Sequence, residues 1–177
     1  MKKAIIHVSL VIIFILTYFL QTTFFANFTI ANVMPNIFII LILYIGLYMG
    51  RCMGTIYGIV YGIFLDIWIG RNIGITSACL AIIGLLGGVF DKNFSKDSRI
   101  TIIIMGALCT IIYEIINYVL RHIVLGTNIE IMLFIKTLSI ETLYNVLLIV
   151  ILYPLIKNTG YEVVNEIKGD RILTRYF

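Results

Sequence analysis

Long apolar runs separated by short polar breaks dominate the pattern of this chain. A membrane-spanning helix needs about 20 mostly apolar residues, and most of the runs approach that length. The pattern predicts six spans, at about 4–24, 35–49, 53–69, 73–90, 100–120 and 138–156, followed by a short tail over 157–177. The expected fold is therefore all-α: an integral membrane bundle of six transmembrane helices in a single domain.

The breaks between the runs differ in character. Pro35 marks the start of the second helix, since proline is well accommodated at the first helical position. Residues 91–99 form a plain polar loop. Gly50 and Arg51 interrupt sequence that is apolar on both sides, and an arginine inside a span is costly. We therefore predict a tight hairpin at Gly50-Arg51.

Glycine recurs at every fourth position through the middle of the chain, with Asp66 in the one vacant place. The row consists of Gly46, Gly50, Gly54, Gly58, Gly62, Gly70 and Gly74. Small residues four apart allow helix backbones to approach closely in lipid. We expect the members from Gly46 to Gly62 to pack the second and third helices together. Gly70 and Gly74 are expected to bracket a turn at the other end of the third helix.

Composition places most of the chain in lipid. Hydrophobic residues make up 61% of the sequence and charged residues 12%, with a mean hydropathy of +1.07. The charged share is about half that of a typical soluble protein. A soluble domain of 177 residues could not bury so much apolar surface.

The distribution of Lys and Arg predicts the orientation. Of the 13 basic residues, ten fall on the side of the N-terminus and three, Arg71, Arg121 and Lys136, on the other. Cytoplasmic loops carry the excess of basic residues, so both termini are expected in the cytoplasm. Lys2 and Lys3 before an apolar run resemble a signal peptide, but the length of the run and the lack of a clear cleavage site favour a retained helix.

Polar side chains concentrate at the outer end of the predicted bundle. They could simply reach headgroups and water, or they could form a shared polar cleft in which Asp66 and Glu114 pair with Arg71 or Arg121. Intramembrane charges generally face the protein interior or a wet cavity. The candidate cleft residues are Asn36, Asp66, Arg71, Glu114, Asn117, Arg121, Glu141 and Asn145.

No motif indicates catalysis or a cofactor. The chain has no phosphate-binding glycine loop, no pair of metal ligands at helical spacing and no nucleophile with a base. Its cysteines and histidines are single, so we expect no metal site, and its basic residues form no continuous patch for nucleic acid. A transporter or solute-binding subunit and a membrane scaffold remain as the two classes.

A set of short motifs resembles a known family. The motifs are Pro35-Asn36, Tyr44-Ile45-Gly46-Leu47, Gly50-Arg51, Gly54, Gly58, Gly62, Leu65-Asp66 and Gly74. In these positions, in length and in its six apolar runs the chain resembles the bacterial rod shape-determining protein MreD family. Two departures stand out: Asn36 replaces the acid that often follows the proline, and Gly50-Arg51 inverts the usual order.

The resemblance implies a non-catalytic subunit of the machinery that builds the lateral cell wall, in the bacterial cytoplasmic membrane. It implies MreC as the nearest partner, with MreB, the RodA polymerase and its class B penicillin-binding transpeptidase in the wider complex. It also implies a fold similar to the substrate-binding subunits of energy-coupling vitamin transporters. A homodimer is a further possibility.

Two hypotheses about function follow from the resemblance. In the first, the chain is a scaffold whose outer cleft receives a segment of MreC or another partner. In the second, the cleft holds a small solute, as in a vitamin transporter. The first helix lacks the small residues four apart with which such transporter subunits meet their coupling protein, which favours the scaffold. The tail over 157–177 could be solvated near anionic lipid, or it could dock a cytoplasmic partner.

Overall fold

The computed structural model describes residues 2–69, 73–93, 98–126 and 130–172, and within them the fold is all-helical. We number the helices in chain order. They are α1 (Lys2–Phe19, continued by a π-helical turn at Leu20–Phe24 and a last turn at Phe25–Asn27), α2 (Ile37–Met49), α3 (Arg51–Ile69), α4 (Ile75–Asn93), α5 (Arg99–Leu125) and α6 (Ile131–Ile172).

Four of these helices are long and apolar enough to cross a membrane, whereas six spans were predicted. The four candidate spans are Ala4–Asn27, Arg51–Ile69, Arg99–Leu125 and Ile131–Val164. The α2 helix and the apolar part of α4 are shorter. With 13 residues, α2 is about 20 Å long, less than the roughly 30 Å of the hydrocarbon layer. Each of the six predicted apolar segments thus contains a helix, and two of these helices are shorter than the other four.

The α2 helix lies at the centre of the bundle. Eleven of its 13 residues are buried, and it contacts α3, α4, α5 and α6. A helix that is apolar on every side belongs in the interior. Because α2 is surrounded by protein for almost its whole length, it does not need the length of a helix that faces lipid.

The glycine row packs α3 mainly against α4, and the predicted contact with α2 is found only at Gly54, where an added Cβ would lie 2.7 Å from Gly46 Cα. A Cβ atom added at Gly58 would collide with the backbone of Leu80, and one added at Gly62 would collide with the backbone of Ser77. The α2 helix joins this contact only near its end, where a Cβ at Gly46 would lie 2.5 Å from the carbonyl oxygen of Gly84. Periodicity identified a close-packing face but could not identify the helix that covers it.

The second half of the close contact comes from α4. Gly84 faces the backbone of Gly54, Gly88 faces that of Arg51, and Gly87 meets α2 at the carbonyl of Leu43. Gly54 and Gly84 have no side chain between them, so the two backbones approach directly there. The order of these contacts along each helix shows that α3 and α4 run antiparallel.

Two glycines of the row occupy turns. Gly50 alone separates α2 from α3 and has φ +89°, and Gly74 precedes α4 with φ +107°. Both values lie in the region that only glycine adopts readily.

The other residues predicted at turns lie as follows. Arg51 is the first residue of α3, and Pro35 is buried just before α2. Gly70 lies outside the described residues.

The last helix is longer than predicted. It begins at Ile131 and continues to Ile172, so it includes Lys136 and most of the segment predicted as a tail. Residues 131–137 belong to this helix, so it begins before the predicted start at 138. The extension beyond the predicted end at 156 is held by packing, because Gly160 lies against the ring of Tyr48.

Candidate functional site

The beginning of α2 is fixed by side chains from distant parts of the chain. The first N–H groups of a helix have no partner within it. The N–H of Asn36 donates to Asn145 Oδ1 of α6 at 2.9 Å, and the N–H of Ile37 donates to Gln21 Oε1 of α1 at 3.2 Å. Gln21 Nε2 in turn donates to the carbonyl of Pro35 at 2.6 Å. These bonds attach α1 and α6 to the central helix.

The hydrogen bonds continue into α5. Asn145 Nδ2 donates to Thr110 Oγ1 at 3.1 Å, and the Thr110 hydroxyl donates to the carbonyl of Gly106 at 2.9 Å. Tyr113, one turn along α5, lies next to Asn36. We call Gln21, Asn36, Thr110, Tyr113 and Asn145 the polar network. It joins four helices, and both Thr110 and Asn145 are fully buried.

Two carboxyl groups lie beside the polar network. Glu114 follows Thr110 by one helical turn, and Glu141 precedes Asn145 by one turn. The two carboxyl groups lie close enough to interact with each other. Glu141 is 6% exposed, and its Oε1 atom has no hydrogen-bond partner among the described residues. We call Glu114 and Glu141 the carboxyl pair.

A polar row on α5 extends from the carboxyl pair toward the end of the helix. Arg121 Nε donates to Asn117 Oδ1 at 2.9 Å, and the positive charge of Arg121 acts on Glu114. Glu114, Asn117 and Arg121 are spaced three and four residues apart and are all partly buried, so they share one face. We call these three residues the α5 polar row. It is the accessible edge of the site.

The structure gives Asp66 a role different from that of the other acids. Its carboxylate accepts hydrogen bonds from the N–H groups of Gly74 at 2.8 Å, Thr76 at 3.3 Å and Ser77 at 3.3 Å. Asp66 therefore caps the N-terminus of α4 from α3, where a negative charge also complements the helix dipole. We had expected Asp66 to share a cleft with Arg71 or Arg121, but Arg121 bonds to Asn117 and Arg71 lies outside the described residues.

The structure thus gathers most of the residues that the sequence placed at one end of the bundle. One connected cluster contains Asn36, Glu114, Glu141 and Asn145, and Asn117 and Arg121 lie at its edge. Asp66 instead caps the N-terminus of α4. Sequence reasoning missed Gln21, Thr110 and Tyr113. Gln21 could have been noticed as an isolated amide in an apolar run, and it lies in a π-helical turn, a feature frequent at functional sites.

The arrangement is suited to binding a polar partner. Among the residues that the structure describes, no group of three or more His, Cys, Asp or Glu side chains could hold a metal ion. Cys79 and Cys109 are buried. The cluster offers carboxyl, amide and guanidinium groups to a polar partner.

Comparison with known proteins supplies one match. A family model described as rod shape-determining protein MreD matches residues 1–159, which includes the polar network, the carboxyl pair, the α5 polar row and the glycine row. Neither the search of curated proteins nor that of solved structures returned a match.

Proposed function

Because the chain belongs to the MreD family of rod shape-determining proteins, we propose that it is a non-catalytic scaffold of the cell-elongation complex. In this role it supports lateral peptidoglycan synthesis from the bacterial cytoplasmic membrane, with both termini in the cytoplasm. Its direct partner is a membrane segment of MreC. MreB, RodA and a class B penicillin-binding transpeptidase belong to the wider complex.

The observation that carries this proposal is the α5 polar row. Glu114 lies roughly 22 Å along α5 from Arg99, within the depth of the membrane, and it remains partly exposed together with Asn117 and Arg121. Polar side chains at such a depth are costly against lipid and mark functional surfaces. A partner helix that presents hydroxyl or amide groups would cover the row and stabilise it.

The polar network behind the row supports a scaffold more than a solute-binding subunit. Asn145 and Thr110 are completely buried and bond to each other, so the chain's own side chains fill the space between α2, α5 and α6. A solute pocket is usually a preformed space of about 300–1,000 Å³ with a few polar groups aimed into it. The network is better suited to holding four helices in one arrangement.

Purification from the native membrane tests this function. The tagged full-length protein is expected to recover MreC and other elongation proteins, and its depletion is expected to turn rod-shaped cells round. Recovery of a tightly bound vitamin together with transporter subunits would contradict the proposal and support the solute-binding alternative.

A further inference from the structure

A second site lies at the opposite end of the bundle, between α5 and α6. A cavity of about 120 Å³ is lined there by Arg99, Ile103, Val150, Tyr153 and Pro154. It is well below the roughly 300–1,000 Å³ typical of sites for whole small molecules. The space is suited to one polar group of a larger ligand whose remainder lies outside.

Two cations lie against Tyr153, which lines this cavity. Arg99 Cζ lies 5.5 Å and Lys157 Nζ 5.7 Å from the centre of the Tyr153 ring. Neither cation has an ion-pair partner within the described part of the chain. The aromatic ring holds both side chains near the cavity through cation–π attraction, and their charge remains available to an anion.

The wall of the cavity also contains a helix irregularity. Pro154 lies inside α6 and has no N–H, so the carbonyl of Val150, four residues earlier, loses its helical donor. Both residues line the cavity. An acceptor for a hydroxyl group therefore accompanies the two cations.

Apolar surface continues from the cavity along both helices. Ile104 of α5 and Leu147, Val150 and Ile151 of α6 are all exposed. This surface leads from the basic end of the bundle toward its middle, which is the direction that acyl chains take from a headgroup. A charged cavity followed by an apolar track matches the shape of a phospholipid and not that of a free anion.

We propose that this cavity binds the phosphate of an anionic phospholipid through Arg99 and Lys157, with the acyl chains on the adjoining faces of α5 and α6. Phosphatidylglycerol fits the donor and acceptor set, because its glycerol hydroxyls can donate to the carbonyl of Val150. Arg99 is suited to grip phosphate with more than one N–H, and Lys157 adds a compact charge. This site is separate from the polar network and does not depend on the proposed scaffold function.

Native mass spectrometry of the purified full-length protein tests the site. The protein is titrated with phosphatidylglycerol or with phosphatidylcholine of the same acyl chains. We expect at least tenfold preference for phosphatidylglycerol, and loss of that preference in the double variant Arg99→Gln, Lys157→Gln. Lys136→Gln, which removes an exposed cation near the other end of α6, is the matched control and should retain it.

Three outcomes would overturn this inference. They are equal binding of the two lipids by the wild type, unchanged preference in the double variant, and displacement of the lipid by millimolar glycerol phosphate, which would indicate a site for free phosphate. Thermal melting in detergent micelles verifies that the double variant is folded. If it is not, the single variant Lys157→Gln provides the same comparison and should reduce the preference by several-fold.

Discussion

At the scale of single residues, the acids of this chain have distinct roles that their sequence positions do not reveal. Asp66 is 2% exposed and all of its observed hydrogen bonds go to the backbone at the start of α4. Glu141 is nearly as buried, yet one of its oxygens has no partner among the described residues. The first arrangement stabilises the fold, whereas the second leaves capacity for binding.

Replacing Asp66 with alanine should therefore reduce stability. Asp66→Ala leaves three N–H groups at the start of α4 without their acceptor, and such a loss costs about 1–3 kcal/mol. Asp66→Asn keeps one acceptor oxygen and should lose less. Thermal melting of the purified proteins measures the effect, with Glu130→Ala as an exposed acidic control. A melting temperature of Asp66→Ala equal to that of the wild type would contradict the capping role.

At the scale of helices, the close contact of α3 with α4 depends on glycines on both sides. Gly54 and Gly84 face each other directly, and Gly46 brings α2 to the same point. Three backbones thus meet where no side chain intervenes. This contact, together with the cap provided by Asp66, fixes the two helices in their antiparallel arrangement.

A leucine within this contact should disrupt it. Gly58→Leu and Gly84→Leu each direct a side chain into the backbone of the neighbouring helix, where rigid main-chain atoms cannot move aside. We expect a loss well above the 1–3 kcal/mol or so typical of overpacking. The readouts are protein level in the membrane and melting temperature. Ile59→Leu on the exposed face of α3 is the control, and equal levels for all three variants would refute the packing role.

The glycine row also indicates how much of the helix arrangement the sequence could predict. Gly50 was identified as a turn because Arg51 follows it within an apolar run, and Gly74 because it lies beyond the predicted end of the third helix. The partner of Gly58 was assigned wrongly, since a four-residue period describes one surface and not its neighbour. The complementary glycines of α4 carried the same signal, since Gly84 and Gly88 are also four apart, but the row that ended at Gly74 did not include them. The central position of α2 could have been inferred from its lack of a polar face.

At the scale of the whole molecule, the two ends of the bundle differ in chemistry. One end holds the polar network around the start of α2, and the other holds Arg51, Arg99 and Lys157. The sequence alone could not predict that Gln21 bonds to Pro35 or that Asn36 bonds to Asn145. Both contacts depend on which helices surround α2, and residues far apart in the chain do not reveal that arrangement. Because cytoplasmic regions carry the excess of basic residues, the end with Arg51, Arg99 and Lys157 is expected to face the cytoplasm.

Thiol labelling tests the proposed orientation. Cys52 is exposed near the basic end, whereas Cys79 and Cys109 are buried, so a membrane-impermeant maleimide should react mainly with Cys52. Labelling is expected in inside-out vesicles and not in intact cells stripped of their outer layers. Cys52→Ser should abolish the signal. Labelling of Cys52 from the outside would contradict a cytoplasmic basic end.

The most direct measurement of the central claim is the recovery of MreC by variants of the α5 polar row. The double variant Glu114→Gln, Arg121→Gln removes both charges of the row and keeps polar side chains at both positions, and Lys136→Gln on α6 serves as the control. We expect the double variant to reach normal membrane levels and melt normally, and to recover at least tenfold less MreC than the wild type or the control. Undiminished recovery of MreC by a folded double variant would contradict the assignment of this row as the partner-binding surface.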